Sequence, residues 1–203
     1  METRGPDWWP DAVSFLQQDE LLKNAVEKYG TYSISSRDNL FQTLIKSIVG
    51  QQISVAAADS IWKRLSEHIG EMTPENVLLR TQETIATCGV TRPKASYIYG
   101  LAEQASHLIE QPYDHMSDEE IKKHLISFRG IGPWTAEMML MFHFLRQDVF
   151  SIGDIGLVRA VEKLVPEVSS KEEILAISER WKPYRTAASW YLWRTIDPEP
   201  VEY

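Results

Sequence analysis

The stretch Leu125–Phe142, LISFRGIGPWTAEMMLMF, joins two segments of helical apolar periodicity through a short loop with two glycines. We expect the first helix at Ser117–Phe128, since SDEE at its start is a capping box, and the second helix to begin at Pro133. Gly130 and Gly132 leave nothing beside the backbone, so main-chain N–H groups at a helix N-terminus can meet a phosphate oxygen. The stretch therefore predicts a helix-hairpin-helix. G-x-G alone would favour the alternative, an ordinary tight connection between helices.

Helical periodicity covers nearly the whole chain, and no alternating strand pattern of useful length appears. Phe41, Leu44, Ile45, Ile48 and Val49, for example, recur at the three-and-four spacing of a buried helix face. Signals for helix ends are a second capping box at Ser170, starts at Thr73 and Thr91, and stops at Gly30, Gly70 and Gly89. These patterns predict an all-α protein of about nine to eleven helices.

Composition restricts the class of protein. The 203 residues are 43% hydrophobic and 25% charged, which suits one soluble domain or two small lobes. The single cysteine, Cys88, excludes an internal disulfide, a four-cysteine zinc site and a cysteine-ligated iron–sulfur cluster, and we expect it to be a buried, inert thiol. No apolar run of 18 residues appears, so we expect no membrane association and a cytoplasmic location, nucleoid-associated in a bacterium or nuclear in a eukaryote.

Charge is unevenly distributed along the chain. The net charge of −8 argues mildly against a nucleic-acid partner, because affinity for phosphate is carried by Lys and Arg. The window Arg180–Arg194, however, holds four basic residues, five aromatic residues and no acidic residue. One basic, aromatic face on an acidic protein is therefore expected.

Two further motifs flank the hairpin: LIKSIVGQQISVAAADSIWKRL begins at Leu44, and DVFSIGDIGLVRAV begins at Asp148. Together, over about Leu40–Arg194, the motifs resemble the helix-hairpin-helix DNA glycosylase superfamily and are most similar to its alkylbase (3-methyladenine) glycosylase II branch. The resemblance implies an all-α fold of two lobes with the active-site cleft between them, in a short form without an N-terminal β domain. The implied bounds are 40–132 for a helical barrel, 1–39 plus 133–203 for a terminal lobe and 118–146 for the hairpin.

The resemblance implies that Asp154 is the catalytic carboxylate, which would stabilise the oxocarbenium-like charge that develops on the sugar. The alternative is that Asp154 only caps the helix Ile155–Leu164, and the two roles are compatible. Members that also cleave the strand have a lysine two residues after the second hairpin glycine, where this chain has Trp134. We therefore expect a monofunctional enzyme that flips out alkylated purines and hydrolyses the glycosidic bond, leaving an abasic site.

Alkylated purines are cationic, and aromatic faces bind cations. The resemblance assigns Trp134 and Trp193 to the base pocket, with Tyr184 and Trp190 as weaker candidates, and places Met138 where relatives have an aromatic residue. A tryptophan on a helix is more often part of the core, so some of the seven must be structural. We expect that role for Trp8, Trp9, Trp62 and Trp181.

The resemblance also implies contacts with double-stranded DNA. Gln52 matches the position of the wedge that fills the gap left by the flipped base, and Gln51 is its neighbour; the alternative is a polar cap on a helix Ile53–Leu65. The other candidates for DNA contacts are Arg129, Gly130, Ile131, Gly132, Thr135, Arg159, Lys163 and Arg185. No cofactor is expected to be required, although main-chain carbonyls near Ile126, Phe128 and Ile131 are candidates for holding structural Na⁺ or K⁺.

We expect a monomer whose partner is duplex DNA containing alkylated bases. Two other interpretations stay open at this stage. A non-catalytic DNA-binding or damage-sensing protein would need the hairpin but could dispense with Asp154, and a bifunctional lyase would need the missing lysine. A purely structural role for a helical protein would not explain the motifs RGIGPW and GQQIS.

Overall fold

The computed structural model describes residues 5–30, 33–36 and 39–197. Within these ranges the chain forms thirteen α-helices and two 3₁₀ turns and no strand, which confirms the all-α prediction. In chain order the helices are α1 (Trp9–Leu16), α2 (Lys23–Tyr29), α3 (Leu40–Gly50), α4 (Val55–Ile69), α5 (Pro74–Leu78), α6 (Gln82–Thr87), α7 (Arg92–Glu103), α8 (Ala105–Ile109), α9 (Asp118–Ile126), α10 (Pro133–Phe142), α11 (Ile155–Leu164), α12 (Lys171–Ser178) and α13 (Arg185–Ile196).

The predicted number of helices is too low, because three of the helices are very short. Helices α5, α6 and α8 have five or six residues each, fewer than two turns. So short a segment cannot display a repeating apolar face, which is the pattern that sequence reasoning detects.

Helix ends follow the signals in the sequence. Ser117 and Ser170 form capping boxes with Glu120 and Glu173, and α2 ends at Gly30, as predicted. Two bounds differ from the prediction: α9 ends at Ile126, and α4 begins at Val55 and continues to Ile69. Both differences lie at helix ends, where short turns and caps blur the periodic signal.

The described residues divide into two compact units. One unit consists of the described residues up to 36 together with 137–197, and the other consists of 39–136. In the second unit, which we call the barrel unit, α3 buries the predicted face and packs against α4, α7 and α8. Cys88 is buried there as expected, and burial raises the pKa of its thiol.

The first unit, which we call the terminal unit, is built around α13, which packs against α1, α2 and α11. Ala187, Ala188, Tyr191 and Leu192 are fully buried in its core. The small residues on α13 let neighbouring helices approach closely, while Tyr191 donates a hydrogen bond to the Gly30 carbonyl at 2.8 Å. This packing joins the N-terminal helices α1 and α2 to α11 and α13 in one unit.

Of the four tryptophans expected to be structural, Trp9 and Trp181 are buried and confirm that prediction. Trp8 is half-buried and donates its indole N–H to the Leu145 carbonyl at 3.0 Å, whereas Trp62 is half-buried on α4. In the part of the chain that the structure describes, no helix is both long enough and apolar enough to cross a bilayer.

Candidate active site and DNA-contacting loops

Asp154 is positioned by the tight turn that precedes α11. Its N–H donates to the Ser151 carbonyl at 3.0 Å, closing the turn. Ser151 is fully buried, and its hydroxyl donates to the Glu137 carboxylate on α10 at 2.5 Å. The turn is thus anchored to α10. Asp154, the residue directly before α11, therefore has a fixed position.

The carboxylate of Asp154 is buried, with 7% of the residue exposed. One of its oxygens, Oδ1, accepts two hydrogen bonds, from the Leu157 N–H at 2.8 Å and from Nε1 of Trp193 at 3.0 Å. The first bond makes Asp154 the N-cap of α11, which confirms the capping role that the sequence left open. The two donors lie on α11 and α13 and hold Oδ1 in a fixed position at the N-terminus of α11.

Gly156 lies against the Asp154–Trp193 pair, a contact that was not predicted from the sequence. A Cβ at Gly156 would lie 3.0 Å from Oδ1 of Asp154 and 3.2 Å from Cδ1 of Trp193. A side chain at this position would therefore require the tryptophan or the carboxylate to shift by a few tenths of an ångström. The available signal was a glycine inside an otherwise regular helix, which usually has a packing reason.

Trp193 lies on α13, and only 8% of it is exposed. Its ring stacks on Phe142 with centroids 5.8 Å apart and an interplanar angle of 29°. The structure therefore brings Asp154, Trp193 and Phe142 together. Sequence reasoning predicted the first two of these residues and missed Phe142.

The other predicted pocket residues have different surroundings. Tyr184 stacks on Trp8 and contacts Phe15, and Trp190 packs edge-on against Trp9. Both belong to an aromatic cluster that packs α1 against α13, and their assignment to the base pocket stays a prediction. Met138 is 1% exposed on α10, and Trp134 is half-buried in the first turn of that helix.

The two hairpin glycines have different surroundings, so glycine is needed at each position for a different reason. Gly130 has φ +94°, and a Cβ there would lie 2.5 Å from the Tyr97 ring. Gly132 has no positive φ, and a Cβ there would meet nothing within 4 Å. Gly130 is therefore required by packing and backbone conformation, whereas the surface beside Gly132 is open, as access by a phosphate would require.

Two further hairpin features support this loop. The Ile131 N–H donates to the Phe128 carbonyl at 3.1 Å, and the Ile131 and Phe128 side chains are buried beneath the loop. The Arg129 guanidinium lies over the Tyr97 ring, 5.4 Å from its centroid. The Ile131 N–H is thus already used inside the hairpin and its side chain is buried, while Ile126 is exposed.

Three predicted DNA contacts have other partners or are buried. Arg185 binds Asp148 through Nε and Nη2 at 2.7 and 3.0 Å and contacts Glu179 at 3.2 Å, so its guanidinium already lies in an ion-pair network. Lys163 donates to the Thr195 carbonyl at 2.7 Å near the end of α13. Thr135 is only 2% exposed, so its side chain packs inside the protein. Arg159 is exposed on α11, as a phosphate contact requires.

The GQQIS segment forms a tight turn between α3 and α4. Gln51 has φ −55° and ψ 126°, Gln52 has φ +60°, and the Ile53 N–H points to the Gly50 carbonyl at 3.4 Å. These values are typical of a type II turn, in which the third residue is usually glycine. Gln52 is exposed at that position, so a strained backbone presents its side chain to solvent.

Neither glutamine caps α4. The cap is Ser54, whose side chain accepts a hydrogen bond from the Ala57 N–H, and the alternative interpretation of the glutamines as helix caps is therefore wrong. Gln51 instead donates from Nε2 to the Gly130 carbonyl at 3.0 Å. Lys94 on α7 donates to the Val49 and Gln51 carbonyls at 2.8 and 2.7 Å.

Comparison with known proteins identifies this arrangement. A family model described as HhH-GPD superfamily base excision DNA repair protein matches residues 45–183, which contain the GQQIS turn, the hairpin and Asp154. The chain belongs to this superfamily. The family predicted from the sequence motifs, and the fold that it implies, are both confirmed.

Relatives of this HhH-GPD protein include a putative DNA-3-methyladenine glycosylase of Bacillus subtilis, 33% identical over 173 residues that make up 78% of this chain and 60% of the relative. DNA-3-methyladenine glycosylase 1 of Schizosaccharomyces pombe is 32% identical over 188 residues, 87% of this chain and 82% of the relative. This chain thus spans about 60% of the length of the Bacillus relative.

A solved structure supports the same fold. The structure of a Schizosaccharomyces pombe 3-methyladenine DNA glycosylase in complex with abasic DNA superposes with a TM-score of 0.80 and 31% identity, covering 91% of this chain and 96% of that one. Among the described residues of the HhH-GPD protein, no group of three or more His, Cys, Asp or Glu side chains is placed to hold a metal ion.

Proposed function

We propose that this chain is a monofunctional DNA glycosylase that removes alkylated purines of the 3-methyladenine and 7-methylguanine type from duplex DNA. The observation that supports this most strongly is the buried Asp154 carboxylate, held at a helix N-terminus by two hydrogen bonds in a member of a base excision repair family. A carboxylate in such a setting is fixed before the reaction begins, so no reorganisation is needed as charge develops.

The proposed reaction is hydrolysis of the N-glycosidic bond. The bond between C1′ and the base nitrogen breaks, and its electron pair leaves with the base. Because an N3- or N7-alkylated purine is cationic, it departs as a neutral base and needs no strong general acid. Asp154 stabilises the positive charge on the sugar, and water adds to C1′ and releases a proton to solvent water, leaving an abasic site.

Recognition of the cationic base is assigned to aromatic faces. Trp193 supports this role, because it is held against Asp154 and stacked on Phe142, so its ring has a defined orientation. Trp134, half-buried at the start of α10, is the second candidate. Met138 contributes a soft, buried thioether, which suits an adaptable pocket wall.

DNA binding is assigned to backbone groups of the hairpin, with Arg129 and Arg159 as charged contacts. The open space beside Gly132 lets a phosphate oxygen reach the N-terminal N–H groups of α10. Gln52 is assigned as the wedge, because it is exposed on a strained turn that its surroundings must hold in place.

Three finer statements belong to the same proposal. Trp134 stands where strand-cleaving members have a lysine, so we propose no lyase activity. Na⁺ or K⁺ at the hairpin would use the carbonyls of Ile126, Phe128 and Ile131; that of Phe128 already accepts one hydrogen bond and would offer its second lone pair. We also propose that the protein acts as a monomer, without a membrane, where cellular DNA is found.

The test is a panel of duplex oligonucleotides, each with one lesion, incubated with the protein and scored for alkali-dependent strand breaks. The panel holds 3-methyladenine, 7-methylguanine, ethenoadenine and hypoxanthine. Breaks only after alkali, with no adduct trapped by borohydride, support monofunctional hydrolysis. A protein that binds these duplexes tightly and excises nothing would be a non-catalytic damage-binding protein, and a trapped adduct would identify an amine nucleophile.

A further inference from the structure

Lys94 on α7 occupies the C-terminal end of α3. Its ammonium donates to the Val49 carbonyl at 2.8 Å and to the Gln51 carbonyl at 2.7 Å. The last carbonyls of a helix have no partner within the helix and form its negative pole, so a cation there is favourable. The lysine thereby ends α3 and holds the first residue of the turn that follows.

Gln51 is consequently held at two points. Lys94 binds its carbonyl, and its own side-chain amide binds the Gly130 carbonyl in the hairpin at 3.0 Å. Gly130 is in turn fixed by φ +94° and by close packing against Tyr97. The turn that carries Gln52 and the hairpin loop are therefore connected by hydrogen bonds within the barrel unit.

Gln52 needs this support because its backbone conformation is costly. A residue with a Cβ rarely adopts φ +60°, because its Cβ then lies too close to the backbone. Such a conformation persists only where neighbouring groups hold it. The Lys94 and Gln51 bonds lie directly before Gln52 in the chain and support the turn together with the Ile53–Gly50 backbone bond.

We propose that Lys94 is a positioning residue for the wedge, acting through Gln51 to hold Gln52 in its strained turn and in register with the hairpin. This inference rests on the proposed function. A wedge that is ordered before DNA arrives pays no ordering entropy when it enters the base stack. Lys94 should therefore assist base extrusion, while the chemical step at Asp154 does not depend on it.

The first readout needs no catalysis. A duplex carries a tetrahydrofuran abasic analogue with 2-aminopurine opposite it, and insertion of the wedge changes the 2-aminopurine fluorescence. We expect Lys94→Met to bind this duplex within about threefold of wild type but to lose most of the fluorescence change, and Lys94→Arg to restore it. Lys63→Met, at an exposed lysine of the same unit, is the matched control and should behave as wild type.

The second readout is single-turnover excision of 7-methylguanine from two duplexes, one with cytosine and one with the abasic analogue opposite the lesion. Lys94→Met should slow excision about tenfold from the paired duplex. The loss should shrink to about twofold where the partner base is already absent, because extrusion is then easier. In a Gln52→Ala background, Lys94→Met should add little further loss of excision, because both substitutions disable the same wedge.

An unchanged fluorescence response in Lys94→Met, equal losses on the two duplexes or additive losses in the double variant would each overturn the proposal. If Lys94→Met does not fold, Gln51→Met removes the bond to Gly130 and is measured in the same way, with the same predictions. A wild-type protein that excises no base would contradict the proposed function, while the fluorescence experiment would still decide the role of Lys94.

Discussion

Trp193 donates its indole N–H to Oδ1 of Asp154 at 3.0 Å, the same oxygen that caps α11. The residue assigned to base recognition is thereby bonded to the residue assigned to catalysis. A single oxygen that accepts from two helices has its position set by the packing of α11 against α13. Mutations in this pair should separate the effect on chemistry from the effect on binding.

Replacing Asp154 by Asn should lower single-turnover excision by at least about 10²-fold, the scale of removing a preorganised electrostatic group. Stability should change little, because asparagine is also a good N-cap. The measurement is excision under enzyme excess, with binding to lesion DNA followed by fluorescence anisotropy. A folded variant that excises at a near-normal rate would contradict the assignment of Asp154.

Replacing Trp193 by Phe keeps an aromatic ring but removes the N–H donor to Asp154. We expect excision to fall about tenfold, the size of losing a hydrogen bond to a charged group. Affinity for lesion DNA should fall less, because a ring face remains. Trp193→Leu, which removes the face as well, should also weaken lesion binding; equal affinity for the two variants would exclude Trp193 from the base pocket.

Replacing Gly156 by Ala should drive a methyl group against Asp154 and Trp193, since a Cβ there lies 3.0 Å from the carboxylate oxygen. Overpacking of this kind costs about 1–3 kcal/mol, so the thermal unfolding midpoint should fall together with excision. Gly153→Ala is the control: a Cβ at Gly153 meets nothing within 4 Å. The explanation fails if the two variants unfold at the same temperature.

Replacing Gly132 by Asp places an anion where phosphate is proposed to approach the hairpin. Binding should weaken for damaged and undamaged DNA alike, because phosphate contacts carry no sequence or lesion information. Wild-type affinity should fall with salt, with each neutralised phosphate adding about 0.9 to the log–log slope. Gly132→Asn is the uncharged control, and unchanged affinity of a folded Gly132→Asp for both DNAs would make the loop only a connector.

Replacing Gln52 by Gly should leave the unfolding midpoint unchanged or slightly raised, because glycine adopts φ +60° without strain. Excision from paired duplexes should nevertheless fall, since glycine has no side chain to enter the base stack. Gln52→Val should lower the midpoint, because a β-branched residue tolerates this conformation poorly. Full excision by Gln52→Gly would exclude Gln52 as the wedge.

The sequence by itself determined features whose causes lie within one or two helical turns. Helix α11 has the predicted bounds, because the cap at Asp154 is a local interaction between a side chain and the N–H three residues later. The capping boxes at Ser117 and Ser170 and the helix ends at Gly30 and Gly70 follow for the same reason. The hairpin motif and the family also came from short, ordered patterns.

Only the tertiary structure decided which side chains from distant segments of the chain contact one another. The partner of Asp154 lies 39 residues away on α13, and Lys94 binds carbonyls more than 40 residues before it. Arg185 and Tyr184 both lie in the basic, aromatic window. In the folded protein Arg185 forms an ion pair with Asp148, and Tyr184 stacks on Trp8. Such pairings depend on how helices pack and cross, and local propensity carries no information about that.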